Sequence, residues 1–432
     1  VVGGGIAGVC VAYECARRGA RTLLLERHDM LHRRGSSHGE SRIIRPTYAE
    51  EHYTAMMRKA YPLWESAQQE ARTSVYTPTG GLDFGPAEGA GMRRVLAAAE
   101  ANGVRAERMD AERVSRRFPG FSIPDHWTAL WNADAGILNA TKAVAMYAGL
   151  AERHGAALRD RSAVVGIDHA EGGMMRLAVQ DNSRGASSGA GTSEGAGGGV
   201  AQSVVARRVV VAAGPWAGAL LEDTLGLRLD LRPIATAVAY WRARDAQARH
   251  RFDAARFPVY ICYGDDQTEA DALPPGWDET GGSTGDSRAS IDFQTLYGFP
   301  IHELPGLIKA SLHLPEAHWE RLGRDADDRT MAPDAAQARR VVGKWVSRHF
   351  EGIDTDEVAL TEACTYTMTP DHDYVFDTAA DGKVVVLSCC SGHGFKLAPL
   401  IGAATADLAL EGGTERIAES TMQLFSADRL AL

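Results

Sequence analysis

The chain opens on two apolar residues, Val1-Val2, and breaks at once into Gly3-Gly4-Gly5-Ile6-Ala7-Gly8, followed by a stretch that predicts a helix to about Arg18. A second strand is expected over Thr22 to Glu26. Strand, glycine turn, helix and strand together make a β-α-β unit. Much later, Arg208 to Ala213 is a β-branched run ended by Gly214-Pro215-Trp216. It predicts another parallel strand whose carboxyl end meets a ligand crevice. The sheet is thus assembled from distant segments, and the fold class is α/β. Residues 182–202, rich in Gly and Ser, and 264–290, acidic and rich in Gly and Pro, offer too few apolar side chains to pack. Both predict flexible surface insertions. No run approaches the roughly 18 consecutive apolar residues of a spanning helix, so no membrane partner is expected.

Size and charge narrow the classes. A chain of 432 residues with 45% hydrophobic composition can bury a large core and predicts two domains, or two interleaved lobes, rather than one. The net charge of −10 disfavours nucleic acid as a partner but leaves room for a local cationic pocket. Only 6 Lys stand against 40 Arg, so each lysine is informative. The six cysteines, Cys10, Cys15, Cys262, Cys364, Cys389 and Cys390, form no C-x-x-C pair, which fits a reducing compartment and buried thiols. Because the first residues already lie inside a strand-and-glycine motif, residues upstream of Val1 are expected.

Gly3, Gly5 and Gly8 have G-x-G-x-x-G spacing, and Glu26 lies 18 residues past the last of them. Glycines at 46 of 432 positions would supply about 0.5 such triplets by chance, so the spacing alone decides little. The surrounding β-α-β pattern decides it: the glycines let backbone approach a pyrophosphate at a helix N-terminus, and Glu26 accepts hydrogen bonds from a ribose diol. Histidines show no zinc spacing, so no metal is expected.

Four further segments carry a resemblance. They are Gly35-Ser36-Ser37-His38-Gly39-Glu40-Ser41-Arg42-Ile43-Ile44-Arg45; Tyr297-Gly298-Phe299-Pro300 with Lys309 and His313 downstream; Cys364-Thr365-Tyr366-Thr367-Met368-Thr369-Pro370-Asp371; and Ser391-Gly392-His393-Gly394-Phe395-Lys396. In this order they resemble the sarcosine oxidase family, nearest its peroxisomal sarcosine and pipecolate oxidase branch. That resemblance implies an FAD-binding Rossmann-type, DAO-like domain interleaved with a mixed antiparallel-sheet substrate domain. Residues 1–80, 130–225 and 345–432 are assigned to the first, and 81–129 and 226–344 to the second.

The same resemblance implies FAD bonded covalently through Cys364, with Ser37, His38, Arg42, Gly214, Gly392, Gly394 and Lys396 beside it. Arg42 is expected against the flavin or its phosphates. Arg45 and Lys396 would hold a substrate carboxylate, the first bidentately and the second as a point charge. Lys309 would activate oxygen, kept charged by a neighbouring anion, for which the reduced flavin itself is the candidate. Tyr297 and Tyr366 would wall the substrate or simply sit in the core. His313 and His393 are expected near the ring, and cations such as Arg45 or Lys309 would favour the Cys364 thiolate. Ser388-Cys389-Cys390 departs from the small-aromatic sequence expected before Ser391, so packing near the flavin is expected to differ there.

The activity implied is oxidation of a secondary amino acid such as sarcosine, pipecolate or proline, with oxygen reduced to hydrogen peroxide. A bulkier glycated or N-methyl amino acid is the alternative substrate. A flavin dehydrogenase using another acceptor is the alternative class, favoured if Lys309 has no role. A non-catalytic flavoprotein and an NAD dehydrogenase are disfavoured. A monomer acting on a small molecule in the peroxisome or cytoplasm is expected.

Overall fold

The computed structural model describes residues 1–182, 202–264, 294–313, 320–323, 326–328, 335–388 and 391–431. Nearly all of both insertions, with Cys389 and Cys390, lies outside the described residues.

A parallel sheet forms the nucleotide-binding half. Val2 bridges Val211 on one side and Leu25 on the other. Strand Leu23–Leu25 pairs in parallel with Ala157–Arg159, and Val209–Val211 with Val384–Ser388, whose far edge takes Val375–Ala379 antiparallel. The strands at 23–25 and 209–211 are shorter than the apolar runs that predict them, because the flanking residues turn into the loops. All three valines of 209–211 are buried, as a strand covered on both faces requires.

Helix Ile6–Arg17 starts directly after the glycine turn, with Gly5 extended and no side-chain cap. It packs against Ala140–Arg153 and Ala398–Glu411. A Cβ on Gly402 would stand 2.6 Å from Cys10 Cβ, so the glycine sets how closely two helices approach. The core here gathers Val9, Cys10, Trp64, Tyr147, Leu400 and Ile401.

The second half is one large sheet. Its order runs Glu107–Met109, Trp127–Asn132, Gly81–Pro86, Val259–Gly264, Gln294–Phe299, Leu307–His313, Arg232–Arg242 and Leu360–Met368, and the short strand Glu320–Arg321 also pairs antiparallel with Arg232–Arg242. Every neighbour is antiparallel except Val259–Gly264 beside Gly81–Pro86. Phe84, Phe121, Trp241, Phe257, Tyr260 and Trp345 fill the core beneath it. The boundary drawn from sequence cuts this sheet: Leu360–Met368, assigned with 345–432 to the nucleotide side, pairs along Arg232–Tyr240. Trp127–Asn132, which straddles position 130, lies wholly within the same sheet. The cause is register, since a strand belongs to the sheet whose backbone it pairs with, however near in sequence it lies to another unit.

Candidate active site

Two cavities meet between the halves. The larger, about 520 Å³, is lined among others by Gly3 to Ala7, Glu26, Ser36, Ser37, Ala212 to Trp216, Gly394 and Ala398. The smaller, about 140 Å³, is lined by His38, Ser41, Arg45, Tyr297, Phe299, Lys309, His313, Glu362, His393 and Lys396, with others. Arg42, Cys364, Tyr366, Gly392 and Phe395 line both.

The glycine turn is built for close approach. Gly3 has φ +107°, and a Cβ there would stand 2.3 Å from the Ala212 carbonyl oxygen. A Cβ on Gly8 would come within 1.9 Å of the Gly3 oxygen, so this glycine seats the helix on the turn rather than lining the cavity. The Ile6 N–H donates to Ser37 Oγ at 3.1 Å. Glu26 is buried, and its carboxylate accepts from Gly4 N at 2.7 Å and His28 N at 2.8 Å, with His32 Nε2 3.3 Å away. Burial works against its charge, but His32 and the two backbone donors outweigh burial and hold the carboxyl below its ordinary value. An elongated space floored by a helix N-terminus, with a fixed carboxylate beside it, fits a dinucleotide: the amides take diphosphate and Glu26 takes a ribose diol.

Strand Leu360–Met368 supplies the junction. Glu362, Cys364 and Tyr366 are spaced by two and so share one face. Cys364 is buried, and the cation in contact with its sulfur is Arg42, with Nη2 3.8 Å away. This corrects the expectation that Arg45 or Lys309 serves the thiol. Arg42 is fixed there because its guanidinium also donates to the carbonyls of Ser36, His38 and Ser41 at 2.7–2.8 Å. Gly392 has φ +78°, and a Cβ would meet the Tyr366 ring at 2.5 Å, so only glycine lets the closing motif lie against that tyrosine.

In the smaller cavity, Arg45 is not the free clamp that sequence suggested. Its Nη1 donates to Asp83 Oδ1 at 3.1 Å and to the Thr47 carbonyl, and its guanidinium lies over the Tyr48 ring at 4.5 Å. Burial alone would weaken its hold on the proton, but Tyr263, Asp83 and Tyr48 raise its pKa above the ordinary value. The buried Nε makes no hydrogen bond among the described residues. Lys396 is buried, with Nζ donating to Tyr48 OH at 2.8 Å and to the His393 carbonyl at 3.0 Å. The indole N–H of Trp64 fixes its backbone carbonyl at 2.8 Å.

Lys309 is 6% exposed and donates to Ser41 Oγ at 3.0 Å and Glu303 Oε1 at 3.1 Å. His313 stacks near Tyr366, with centroids 5.3 Å apart. Burial, with help from His372, Lys396 and Arg45, lowers its pKa from 6.5 to about 3, so it is neutral at ordinary pH. His393 is driven the same way by burial and by Lys396. Burial and nearby Cys364 push the Tyr297 hydroxyl up; burial and Tyr297 do so for Tyr366, so both remain protonated. Gly5, Gly214 and Gly394 line the larger cavity and His38 the smaller. Asp83, Glu303, Tyr48 and Glu362 escaped the reading of sequence. No local motif marks them, because Asp83, Tyr48 and Glu362 meet their partners only when segments distant in sequence come together, and Glu303 meets Lys309 through a folded-back turn.

The comparisons with known proteins meet this geometry. The family model described as FAD dependent oxidoreductase matches residues 1–408. A protein named probable sarcosine oxidase from Arabidopsis thaliana is 34% identical over 96% of this chain and 89% of its own length. The peroxisomal sarcosine oxidase of Homo sapiens is 29% identical over 95% and 91%. The monomeric sarcosine oxidase of Bacillus sp. strain NS-129 is 26% identical over 100% and 96%. Among solved structures, NikD, an unusual amino acid oxidase essential for nikkomycin biosynthesis, shares the fold with a TM-score of 0.74 at 24% identity, covering 98% of this chain and 95% of that one. The chain is a flavin-dependent oxidoreductase, and it belongs to the sarcosine oxidase family within the FAD dependent oxidoreductases.

Proposed function

We propose that this protein oxidises a secondary or N-methyl amino acid with oxygen as acceptor, yielding an imine and hydrogen peroxide. The observation that carries the reading is the junction: one cavity suits a dinucleotide, the other holds cations, and the five residues they share include Cys364 and Arg42. FAD, when bound, supplies acceptance of a hydride. The chain's own residues do the rest. Gly3, Gly5, Ser37, Glu26 and Gly214 hold the dinucleotide, while Arg42, Gly392, Gly394 and His38 frame its ring end.

Lys396 and the free Nε of Arg45 take the carboxylate of the amino acid, which orients the nitrogen-bearing carbon. Tyr297 and Tyr366, both protonated, wall the site, and neutral His313 adds no charge that would compete for the carboxylate. Lys309 presents a positive charge where oxygen is reduced. The small volume, about 140 Å³, favours compact substrates such as sarcosine, pipecolate or proline over a glycated amino acid. Three relatives carry sarcosine oxidase names, which supports the same class.

Cys364 would be the attachment point in this reading, holding the flavin through its sulfur on a ring methyl carbon, with oxygen as the oxidant that would take the one hydrogen lost by the thiol and the one lost by the methyl. Contact with Arg42 sets a cation beside that sulfur. A monomer in the peroxisome or cytoplasm accompanies the reading, since relatives are named monomeric and peroxisomal.

Peroxide release across a panel of sarcosine, pipecolate, proline and bulkier N-substituted amino acids tests the activity. Release with at least one compact secondary amine is expected, and none across the panel would overturn it. For attachment, acid precipitation should leave yellow colour in the wild-type pellet and not in Cys364→Ala. Flavin that sediments with the variant would exclude Cys364.

A further inference from the structure

A lysine in a dry wall ordinarily surrenders its proton, and a neutral amine cannot stabilise developing negative charge. We infer that Glu303 is the built-in counter-ion of Lys309, a positioning residue that keeps the ammonium charged and turned toward the smaller cavity, with Tyr240 clamping Glu303 in place. The inference rests on the amine-oxidase reading only for what the charge does; the ion pair itself stands on geometry.

Gln294–Phe299 and Leu307–His313 form an antiparallel pair, and the turn between them folds back so that Glu303 meets Lys309 six residues on. The Glu303 and Lys309 side chains are only 9% and 7% exposed. Lys309 lines the cavity and Glu303 does not, so the carboxylate lies behind the ammonium. Two of the three N–H donors of Lys309 are taken by Glu303 and Ser41. Among the described residues none takes the third, which is left for a group in the cavity.

Tyr240 stands directly across from Lys309 in the strand register, so their side chains share a face. Its hydroxyl reaches Glu303 Oε1 at 2.5 Å and Glu362 Oε2 at 2.8 Å. Glu362 in turn touches the exposed Arg33 at 3.5 Å, which carries the network to the surface. The groups that face Lys309 are therefore Glu303 from the turn, Tyr240 and Glu362 from the two next strands, and Ser41 and Arg42 from the segment above. Burial, with Arg42, brings the lysine's pKa below its ordinary value, and Glu303 and Glu362 offset part of that fall. Glu303 itself is held below the ordinary carboxylate value: burial would raise it, but Lys309 and Tyr240 prevail.

The scarcity of lysine gives a direct test. In flavin-loaded protein carrying ¹³C-lysine, the chain's six lysines give six side-chain signals, and Lys309→Met identifies the one from Lys309. Wild-type Lys309 is expected to remain an ammonium throughout the neutral range. Glu303→Gln should lower its titration midpoint by about 1–3 pH units. Tyr240→Phe, which keeps the carboxylate and removes its clamp, should move the midpoint by less. A neutral Lys309 in wild type at neutral pH, or an unchanged midpoint in Glu303→Gln, overturns the assignment. So does a larger shift in Tyr240→Phe than in Glu303→Gln. Should Glu303→Gln not fold, the wild-type titration and Tyr240→Phe still decide. None of these signals depends on turnover, so the ion pair and the amine-oxidase reading can fail separately.

Discussion

Replacing Asp83 by Asn removes one charge from a buried pair while keeping its shape. Asp83 is 3% exposed; its Oδ1 accepts from Arg45 at 3.1 Å and its Oδ2 from Thr47 Oγ1 at 2.5 Å. At 3.1 Å with an effective dielectric of about 20, the Coulomb term between Asp83 and Arg45 is about 5 kcal/mol. The amide recovers part of that, because it has no charge to desolvate and its carbonyl still accepts from Thr47. What remains is Arg45, buried, charged and unbalanced, for which a loss of about 3–5 kcal/mol is expected. Urea unfolding of the flavin-loaded protein, followed by intrinsic fluorescence, measures the loss. The double variant Asp83→Asn with Arg45→Met provides the control, since removing the stranded cation should recover a large share of it. A single variant within about 1 kcal/mol of wild type, or a double variant less stable than the sum of the singles, would refute the claim that Asp83 balances Arg45.

Three further outcomes follow from the site. Lys309→Met should slow reoxidation by oxygen far more than reduction by substrate, and stopped-flow traces of the two half-reactions separate them; equal losses would remove Lys309 from the oxygen step. Lys396→Ala should weaken binding of a simple carboxylate inhibitor by about 2–5 kcal/mol, roughly 30-fold to several-thousand-fold. Arg45→Ala should fall at the low end of that range because Nη1 is already engaged by Asp83. Titrations followed by flavin absorbance test both, and unchanged affinity excludes the residue concerned. His313 has a folded pKa near 3, below its ordinary 6.5, so the unfolded chain binds more protons between those values. Its contribution to stability is therefore lost as pH falls from 6.5 toward 3. His313→Gln should flatten that part of the stability curve, and an equally steep fall in the variant would count against a neutral buried His313.

The parts of the site legible in sequence are those whose chemistry depends on spacing along the chain. Gly3 and Gly8 could be read because a turn that admits no Cβ leaves only one residue type, and Glu26 because it follows the second strand of the same β-α-β unit. Cys364 and Tyr366 come from the motif that carries the resemblance, and the two-residue step of their strand puts both on one face. The partners of the charged groups could not. Asp83 reaches Arg45 across 38 positions, and Glu303 meets Lys309 only because the turn after Phe299 folds inward. The need for an anion beside Lys309 followed from burial alone, but its identity required the turn. Arg42 and Arg45 show the same limit: both lie in one motif, yet a three-residue separation sends one to the Cys364 sulfur and the other to Asp83. The domain boundaries at 130 and 345 missed because strand pairing, which no local pattern records, puts Trp127–Asn132 and Leu360–Met368 in one sheet.

The central claim is tested most directly by mixing the purified yellow protein anaerobically with sarcosine, pipecolate and proline in turn, and then admitting oxygen. At least one of these amines should bleach the flavin absorbance, and oxygen should restore it with release of one peroxide per flavin. Absorbance that no secondary amine bleaches would contradict amine oxidation, and bleaching that oxygen fails to reverse would contradict the oxidase and leave a dehydrogenase.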